Sequence, residues 1–397
     1  MSATAYPKAE QSLDKMAVLK AISSFFRASL SAIATGVTGI VAISTVFSAY
    51  GGYFDPNHVP VAALALMALP ALLIAGLVVA VIDFIFWRKA AILIAVSWLV
   101  SLPPLLVFCP LNIYSPILDE QKNDTTFTVL TYNIIHLWDT RENHEEYDCN
   151  PTLQYILDTD ADIVNLQEIA VADLDPDGWR PKREKVTQAQ VDSLKAKYPY
   201  RFYKPNIAGF LSKFPVEAEA LPVQVDSMPN IRLFKVNING HLINFYNVHL
   251  KSIGLSDDDK QFYRELYDVP ADERQLKHEI KEAKTKLVSK LATAFRDRTR
   301  EARILRQCID SVSGAVIVAG DFNDVPGCYA ARTIMGNDLH DAYADAAFGP
   351  TITYHKNRFY FRIDQILYRG PEIISIDRGD CKASDHYPMI ATFKFKD

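Results

Sequence analysis

Three apolar runs in the first 113 residues constrain the fold of this chain more than any other feature of its sequence. They cover about residues 29–50, 60–82 and 90–109. Each reaches the ~20 apolar residues that a helix needs to cross the hydrocarbon core of a bilayer. Lipid offers the backbone no hydrogen-bond partners, so such runs cross as helices. The sequence therefore predicts three transmembrane helices, with kinks at Pro70 and at the Pro103–Pro104 pair.

Two other interpretations of these runs are disfavoured. Helices buried in a soluble protein seldom occur as three successive runs with short connections and almost no charge. A cleaved signal peptide does not fit, because the first run ends in Ser48-Ala49-Tyr50, which is a poor cleavage site. Two further apolar runs follow in any case. The membrane interpretation is therefore kept for all three.

The basic residues that flank the runs predict their orientation. They are Lys8, Lys15, Lys20, Arg27, Arg88 and Lys89. The first four lie in the tail of residues 1–28 and the last two in the second connection, whereas the first connection, around 51–59, has none. Cytoplasmic loops carry the excess of positive charge, so the tail and the second connection should be cytoplasmic. Everything after about residue 113 is then expected outside the cytoplasm, in the periplasm if the membrane is a bacterial inner membrane.

The rest of the chain has the composition of a polar globular domain. Residues 1–113 contain six basic and four acidic residues, and the remaining 284 residues carry a formal charge of −7. These values exclude a disordered chain, a disulfide-dense miniprotein and a basic protein that coats nucleic acid. We expect a linker over 114–126 and one domain over 127–397. The spacing of its cysteines assigns no disulfide among Cys149, Cys308, Cys328 and Cys381.

Short β-rich runs alternate with helical ones in this domain. Runs rich in Val, Ile, Phe and Tyr predict six strands, over 127–135, 162–169, 243–250, 315–323, 362–368 and 388–395. Residues 152–160 predict a helix. Regularly spaced apolar residues predict a second helix within 271–312, and an amphipathic helix packed on a sheet is favoured over a coiled coil. The pattern is typical of an α/β domain.

Polar side chains stand at the ends of these strands. They are Asn133, Glu168, His249, Asp321, Asn323, Asp364, Asp385 and His386. Any one of them has an ordinary explanation, such as a turn, a surface acid or a core histidine. Together they are costly beside apolar strands unless they converge on one site. Oxygen ligands without thiolates favour Mg²⁺, with Mn²⁺ as the alternative, and the whole set suits hydrolysis of a phosphate ester.

These residues lie in short motifs that resemble a known family. The motifs are YN (132–133), NLQE (165–168), GFLSKFP (209–215), NVHL (247–250), GDFN (320–323), RIDQILY (362–368) and SDH (384–386). In this order they resemble the endonuclease/exonuclease/phosphatase superfamily, which includes deoxyribonucleases and sphingomyelinases. The resemblance covers 127–395. It implies a hydrolase of phosphoester bonds with a four-layer α/β sandwich, two mixed sheets flanked by helices, here preceded by three transmembrane helices.

The resemblance also implies a metal site. Glu168 would be the main Mg²⁺ ligand, and Asp385 and Asn133 would lie close to the metal.

Five further residues receive catalytic roles from the same resemblance. His386 would activate water or contact the scissile phosphate, and Asp364 would orient it. Asp321 would position the nucleophile or protonate the leaving oxygen. Asn323 and His249 would bind the substrate phosphate, and His249 is also a candidate acid. Deoxyribonuclease pairs the counterpart of His249 with a second glutamate, and the sequence alone identifies no such partner here.

Two enzymatic functions stay open at this point. The first is a membrane-anchored, Mg²⁺-dependent phosphodiesterase of endonuclease type. The alternative is a phosphoesterase for phospholipid, sphingomyelin or inositol phosphate, which a tether near lipid headgroups favours. A catalytically dead scaffold is disfavoured because competent residues fill every key position, and a transporter because the spans carry no polar pathway. The expected partners are the phosphodiester substrate and the lipid bilayer, with no protein partner.

Overall fold

The computed structural model describes residues 7–113, 125–141, 148–169, 185–204, 208–219, 221, 230–254, 274–356 and 360–395 of the chain. Two compact units make up the chain. One contains Met1–Tyr50 and Ala65–Pro103, and the other contains Gly51–Leu64 and Pro104–Asp397. The second unit thus contains both the first connection, which lies between two apolar runs, and the large polar domain. Most of the predicted linker over 114–126 lies outside the described residues.

The first part of the chain is helical. Its helices are α1 Pro7–Ala49, α2 Pro60–Met67, α3 Leu69–Phe86, α4 Arg88–Val100 and α5 Leu102–Phe108. Within the described residues, Val18–Ala49 and α3 are each long and apolar enough to cross a membrane. A third span requires α4 and α5 to act as one bent pair, with 67° between them. Two candidate spans are therefore present, and three only if the bent pair counts as one.

Proline explains where these helices break. The bend between α4 and α5 coincides with Pro103–Pro104, where a kink was expected. Pro70 stands in the first turn of α3, and Ala68 caps that helix, which separates α2 from α3. The candidate span is α3 rather than the predicted run over 60–82.

The helices of the first unit expose an apolar surface. Ile43 and Leu99 are 72% and 70% exposed. Apolar surface of this extent is unfavourable in water and favours a lipid environment. The acid in α3 is buried and paired, because Asp83 accepts a 2.6 Å hydrogen bond from the Thr38 hydroxyl of α1. Pairing of this kind is how an ionisable group is accommodated between apolar helices.

The polar domain alternates strands and helices. In chain order its elements are β1 Thr126–Asn133, α6 Pro151–Thr159, β2 Ile163–Gln167, α7 Gln188–Lys197, β3 Tyr200–Lys204, β4 Ala208–Ser212, β5 Val216–Glu219, β6 Ile231–Ile238, β7 His241–His249, α8 Arg274–Asp310, β8 Ala315–Asp321, α9 Tyr329–Met335, β9 His340–Asp341, α10 Ala342–Ala346, β10 Asp364–Arg369, β11 Glu372–Arg378 and β12 Met389–Lys394. All six predicted strands and both predicted helices are present.

The strands form two six-stranded sheets. Their spatial orders are β11-β12-β1-β2-β4-β3 and β5-β6-β7-β8-β10-β9. The pairs β1–β2 and β7–β8 are parallel and the other pairs are antiparallel, so both sheets are mixed. The predicted α/β sandwich of two mixed sheets flanked by helices is confirmed.

One apolar core lies between the two sheets. It unites Phe127 and Ile163 of the first sheet with Phe245 and Ile317 of the second. Helices α6 and α7 cover the outer face of the first sheet, where Leu153 is buried. Helix α8 buries apolar residues such as Phe295 and Leu305, as its amphipathic pattern predicted. Helix, sheet, sheet and helix give the four layers.

The β-rich runs did not predict the other six strands, of which β4 coincides with the GFLSKFP motif, similar to a short strand of the family. The remaining five had no prediction: β3, β5, β6, β9 and β11. Strand β6 shows why. Its burial alternates, with Arg232 and Lys235 only partly buried between apolar residues. Antiparallel strands with one solvated face carry such charges, and the charges dilute the β-rich signal. The strands that the sequence revealed are the ones with long buried stretches.

Candidate active site

The parallel pairs bring the predicted residues to one edge of the sandwich. Asn133 ends β1, Glu168 follows β2, and His249 and Asp321 end the parallel neighbours β7 and β8. Asp364 begins β10 directly opposite Asp321 in the antiparallel register. Strand ends that meet at one edge place their side chains within contact distance. The expected convergence is therefore observed.

Asn133 connects the carboxylates of the two sheets. Its side-chain amide nitrogen, Nδ2, donates to Glu168 Oε1 at 3.1 Å and to Asp321 Oδ2 at 3.1 Å. Asn133 and Asp321 are buried, whereas the Glu168 side chain is 32% exposed. Glu168 also has a positive φ of 53°, which is strained for a residue with a side chain. Glu168 is thus more accessible than Asp321.

Two carboxylates flank His249. Its Nε2 atom lies 3.6 Å from Glu168 Oε1 and 3.7 Å from Asp321 Oδ2. The sequence identified no acidic partner for this histidine, because the two carboxylates come from distant parts of the chain. Glu168 and Asp321 themselves are the acids beside it.

His386 and Asp364 form a buried pair. His386 Nδ1 lies 2.7 Å from Asp364 Oδ2, and His386 Nε2 lies 3.7 Å from Asp321 Oδ2. Burial opposes protonation of His386, but the negative charges of Asp364 and Asp321 outweigh it and raise the pKa of the imidazole to about 10. His386 is therefore an imidazolium at neutral pH, and its Nε2–H faces Asp321.

Asp321 lies between the two histidines. Burial raises the pKa of Asp321 and the charge of Asp364 adds to the effect, whereas His386 and His249 oppose it. A carboxylate with a raised pKa is a stronger base than an exposed one. Asp321 is thus placed and tuned to hold a proton.

Asn323 is held by the backbone around it. Its φ is 53°, its N–H donates to Asp321 Oδ1 at 2.8 Å, and its side-chain Nδ2 donates to the Leu250 carbonyl at 2.9 Å. The preceding Gly320 has a φ of 146°, and a Cβ there would lie 1.9 Å from the Val248 carbonyl oxygen. The glycine of GDFN is therefore required for β7 and β8 to approach each other. The role of Asn323 at the substrate phosphate stays a prediction.

Asp385 connects to the site through its neighbour Ser384. The Ser384 hydroxyl donates to the Asn133 carbonyl at 2.7 Å and lies 3.3 Å from Asp385 Oδ1. The hydroxyl also accepts the backbone N–H of His386 at 3.2 Å. Ser384 therefore ties the SDH segment to the end of β1.

Two groups of side chains at the site could supply ligand atoms to a metal ion, and they differ in how well those atoms suit one. Asp321, Asp364 and His386 offer ligand atoms that all lie within 4.8 Å of one another. In that set His386 Nδ1 and Asp364 Oδ2 are already engaged with each other, at 2.7 Å. Glu168 is a hard oxygen donor, which fits Mg²⁺. Asn133 turns its amide nitrogen to the carboxylates, and its Oδ1 accepts the Ile135 N–H at 3.2 Å. The donor chemistry therefore fits a divalent cation at Glu168, and the identity of the ion stays a prediction.

Several functional contacts escaped the sequence analysis although their residues stand inside the motifs. Gln167 Nε2 donates to Asn247 Oδ1 at 3.1 Å, and Asn165 Nδ2 donates to the Ala319 carbonyl at 2.9 Å. All of these groups are buried and lie between the two sheets. The sequence indicated these contacts only through the polar residues of two motifs, which are Asn165 and Gln167 of NLQE and Asn247 of NVHL. They form a polar connection between the sheets beneath the site.

Two family models match the chain. The Endonuclease/Exonuclease/phosphatase family matches residues 146–386. A domain of unknown function, DUF8431, matches residues 31–108. No curated protein matches the chain. The first match spans more than half of the sequence and contains all of the predicted site residues except Asn133.

Solved structures are also similar to this chain. A humanized D. rerio TDP2 is 17% identical, with a TM-score of 0.42, and the alignment covers 68% of this chain and 99% of that one. An endonuclease/exonuclease/phosphatase family protein from Leptotrichia buccalis is 17% identical, with a TM-score of 0.41 and coverage of 68% and 100%. The 3′ phosphatase NExo from Neisseria, bound to a product DNA hairpin, is 16% identical, with the same TM-score and coverage.

Proposed function

Because the chain belongs to the endonuclease/exonuclease/phosphatase family and is a hydrolase of phosphoester bonds, we propose that it is a membrane-anchored, Mg²⁺-dependent phosphodiesterase of endonuclease type. One observation carries the proposal. Two imidazoles, of His249 and His386, each lie 3.7 Å from the same oxygen, Asp321 Oδ2. A base between two donors is the arrangement that in-line attack of water on a phosphate diester requires.

The residues of the chain divide the chemistry among them. Asp321 accepts the proton of the attacking water at its carboxylate. The imidazolium of His386, held by Asp364, donates a hydrogen bond from Nε2 to a phosphoryl oxygen, and His249 supplies a second donor. Mg²⁺, held by Glu168 with Asn133 and Asp385 close by, would neutralise the charge of the phosphoryl oxygens. A protonated His386 favours phosphate contact over activation of water, the other role that the resemblance implied.

A lipid phosphodiester is the second candidate substrate. The exposed apolar surface of the first unit favours it, because a catalytic domain on a membrane anchor works among lipid headgroups. Within the proposal, residues 1–28 form a cytoplasmic tail, the apolar helices span the membrane and residues 127–397 form the catalytic domain outside the cytoplasm.

The test compares substrates with the full chain in detergent. Plasmid DNA, sphingomyelin and phosphatidylinositol phosphates are each supplied with Mg²⁺, with Mn²⁺ or with a chelator. We expect metal-dependent nicking of DNA. Glu168→Gln and His386→Ala should each lower the rate by about 10²–10⁴-fold, the usual contribution of a group acting directly on the reaction.

The control variant is His340→Ala, which removes an exposed histidine outside the site. It should keep the wild-type rate. Turnover of lipid with DNA untouched would replace the nuclease proposal by the lipid phosphoesterase. Activity that survives both Glu168→Gln and His386→Ala would contradict the site itself.

A further inference from the structure

A second cavity lies between the first connection and helix α8. Its volume is about 560 Å³, and its charged and polar lining includes Asp55, His58, Arg296, Asp297, Arg300 and Arg303. None of the candidate active-site residues lines this cavity. The concentration of arginine in so small a space requires an explanation separate from the hydrolytic reaction.

The arginines occupy one face of α8. Arg296, Arg300 and Arg303 are spaced by four and three residues, which places them on the same side of a helix. Arg303 is engaged, because its Nη2 lies 2.5 Å from Asp55 Oδ2 and 3.2 Å from the Tyr329 hydroxyl. Arg296 and Arg300 are exposed and form no ion pair with any carboxylate in the described part of the chain.

The charges of the lining leave the cavity positive. It holds three arginines and two aspartates. Since Asp55 is bound to Arg303, Asp297 is the one other carboxylate in the lining, beside the guanidinium groups of Arg296 and Arg300, which form no ion pair among the described residues. A net positive cavity of this kind attracts an anion.

The first connection forms one wall of the cavity, and close contacts hold that wall in place. A Cβ at Gly52 would lie 1.8 Å from the Gly327 carbonyl oxygen, so the two backbones are in close contact. The Arg332 guanidinium lies 3.4 Å from the centre of the Tyr53 ring. Asp55 accepts hydrogen bonds of 2.9 Å from the backbone and the side chain of Asn57. The cavity is therefore preformed, which lowers the entropic cost of binding a ligand.

The chemistry of the lining and its place in the chain together identify a ligand. Guanidinium groups bind phosphate oxygens in planar, bidentate pairs. The candidate span Val18–Ala49 ends six residues before Asp55. Six extended residues reach about 20 Å, so Asp55 lies within about that distance of the end of the span. We propose that this cavity binds the phosphate group of an anionic membrane lipid. The lipid would fix the first connection and α8 at the membrane surface.

Binding is measured by native mass spectrometry of the full chain in detergent. The probes are phosphatidylglycerol, phosphatidylcholine and inorganic phosphate. The test variant is Arg296→Ala/Arg300→Ala. The control is Lys195→Ala/Lys286→Ala, which removes the same charge from exposed positions outside the cavity.

We expect wild type and control to bind phosphatidylglycerol at least about tenfold more tightly than the test variant, the loss expected for two charge-assisted contacts. Phosphatidylcholine should bind all three proteins weakly and equally. Equal affinity of the three proteins for phosphatidylglycerol overturns the proposal. Binding of inorganic phosphate with no preference between the lipids overturns the lipid assignment.

A second variant guards against misfolding. Arg296→Lys/Arg300→Lys keeps both charges and removes the bidentate geometry, and its melting temperature is compared with that of wild type. We expect a folded protein with an affinity for phosphatidylglycerol between those of wild type and the alanine variant. A folded lysine variant with wild-type affinity would contradict recognition by guanidinium geometry.

Discussion

His386 and Asp364 form a buried ion pair with 2.7 Å between Nδ1 and Oδ2. Such a pair determines which of the two imidazole nitrogens is bound to the carboxylate and which one faces away from it. With Nδ1 bound to Asp364, Nε2 is left to face Asp321, at 3.7 Å from Oδ2. The same pair raises the pKa of His386 to about 10 against the opposing effect of burial. Residue-scale predictions follow from this charge state.

The first of these concerns stability and pH. A histidine whose pKa rises on folding stabilises the folded protein fully below its unfolded pKa of about 6.5, and the stabilisation is lost as the pH rises through about 10. The difference in melting temperature between wild type and Asp364→Asn should therefore be largest near pH 6 and shrink towards pH 10. Titrating groups that do not interact with Asp364 cancel in the difference. A difference that stays constant over this range would contradict a charged pair.

A second residue-scale prediction concerns Gly320. A Cβ at this position would meet the Val248 carbonyl oxygen at 1.9 Å and force β7 and β8 apart. Gly320→Ala should therefore lower both the melting temperature and the hydrolytic rate. Gly314→Ala is the matched control, because Gly314 also has a positive φ, of 83°, but open space around its Cβ position. It should cost only about 1–2 kcal/mol, the backbone strain of a side chain at a positive φ. Equal effects of the two substitutions would argue against the steric explanation.

At the scale of elements, one buried arginine joins α8 to the loops of the site. Arg298 is 1% exposed, its Nε lies 3.1 Å from Asp324 Oδ2, and its Nη1 donates to the Lys251 carbonyl at 3.0 Å. Asp324 follows the GDFN motif and Lys251 follows NVHL. The helix therefore holds the two loops that carry His249 and Asn323.

Removal of this arginine should be costly. Arg298→Met leaves the buried Asp324 carboxylate without its cationic partner, which should lower the free energy of unfolding by about 3–5 kcal/mol. The double variant Arg298→Met/Asp324→Asn removes both charges and should recover most of the loss. Melting temperatures of the three proteins in detergent measure the effect. A double variant as unstable as Arg298→Met would show that packing, rather than charge, holds α8.

At the scale of the whole molecule, the chain order of the second unit bears on membrane topology. Gly51–Leu64 belongs to the same compact unit as Pro104–Asp397. Segments that pack together lie on the same side of a bilayer. We therefore expect the segment between them, Ala65–Pro103, to cross the bilayer an even number of times. That number is two if α3 and the bent pair of α4 and α5 each act as one span, and three spans in all stay a prediction.

The topology prediction is tested with reporter fusions. Alkaline phosphatase, which is active only outside the cytoplasm, should be active when fused at the C-terminus and inactive when fused after Arg88. This is the orientation that the basic residues of the tail and the second connection predict. Activity of the fusion after Arg88 together with an inactive C-terminal fusion would invert the topology. Two active fusions would show that the bent pair of α4 and α5 does not cross the bilayer, which would contradict the third span.

The sequence by itself determined which apolar segments form helices and which form strands. It also identified the candidate residues of the site. Apolar runs and buried strands have local signatures, because their burial depends on continuous stretches of apolar residues. The motif residues were identified for the same reason, since each stands at the end of such a strand. The fold class and the family followed from these local patterns and their order.

Only the tertiary structure decided which of these residues act on one another. The partners of His249, the charge state of His386 and the role of Arg298 depend on contacts between segments that are distant along the chain. The packing of the first connection against α8, and the cavity between them, have no local signature either. Distances and burial set the energies of charged groups, and both arise only when the chain has folded.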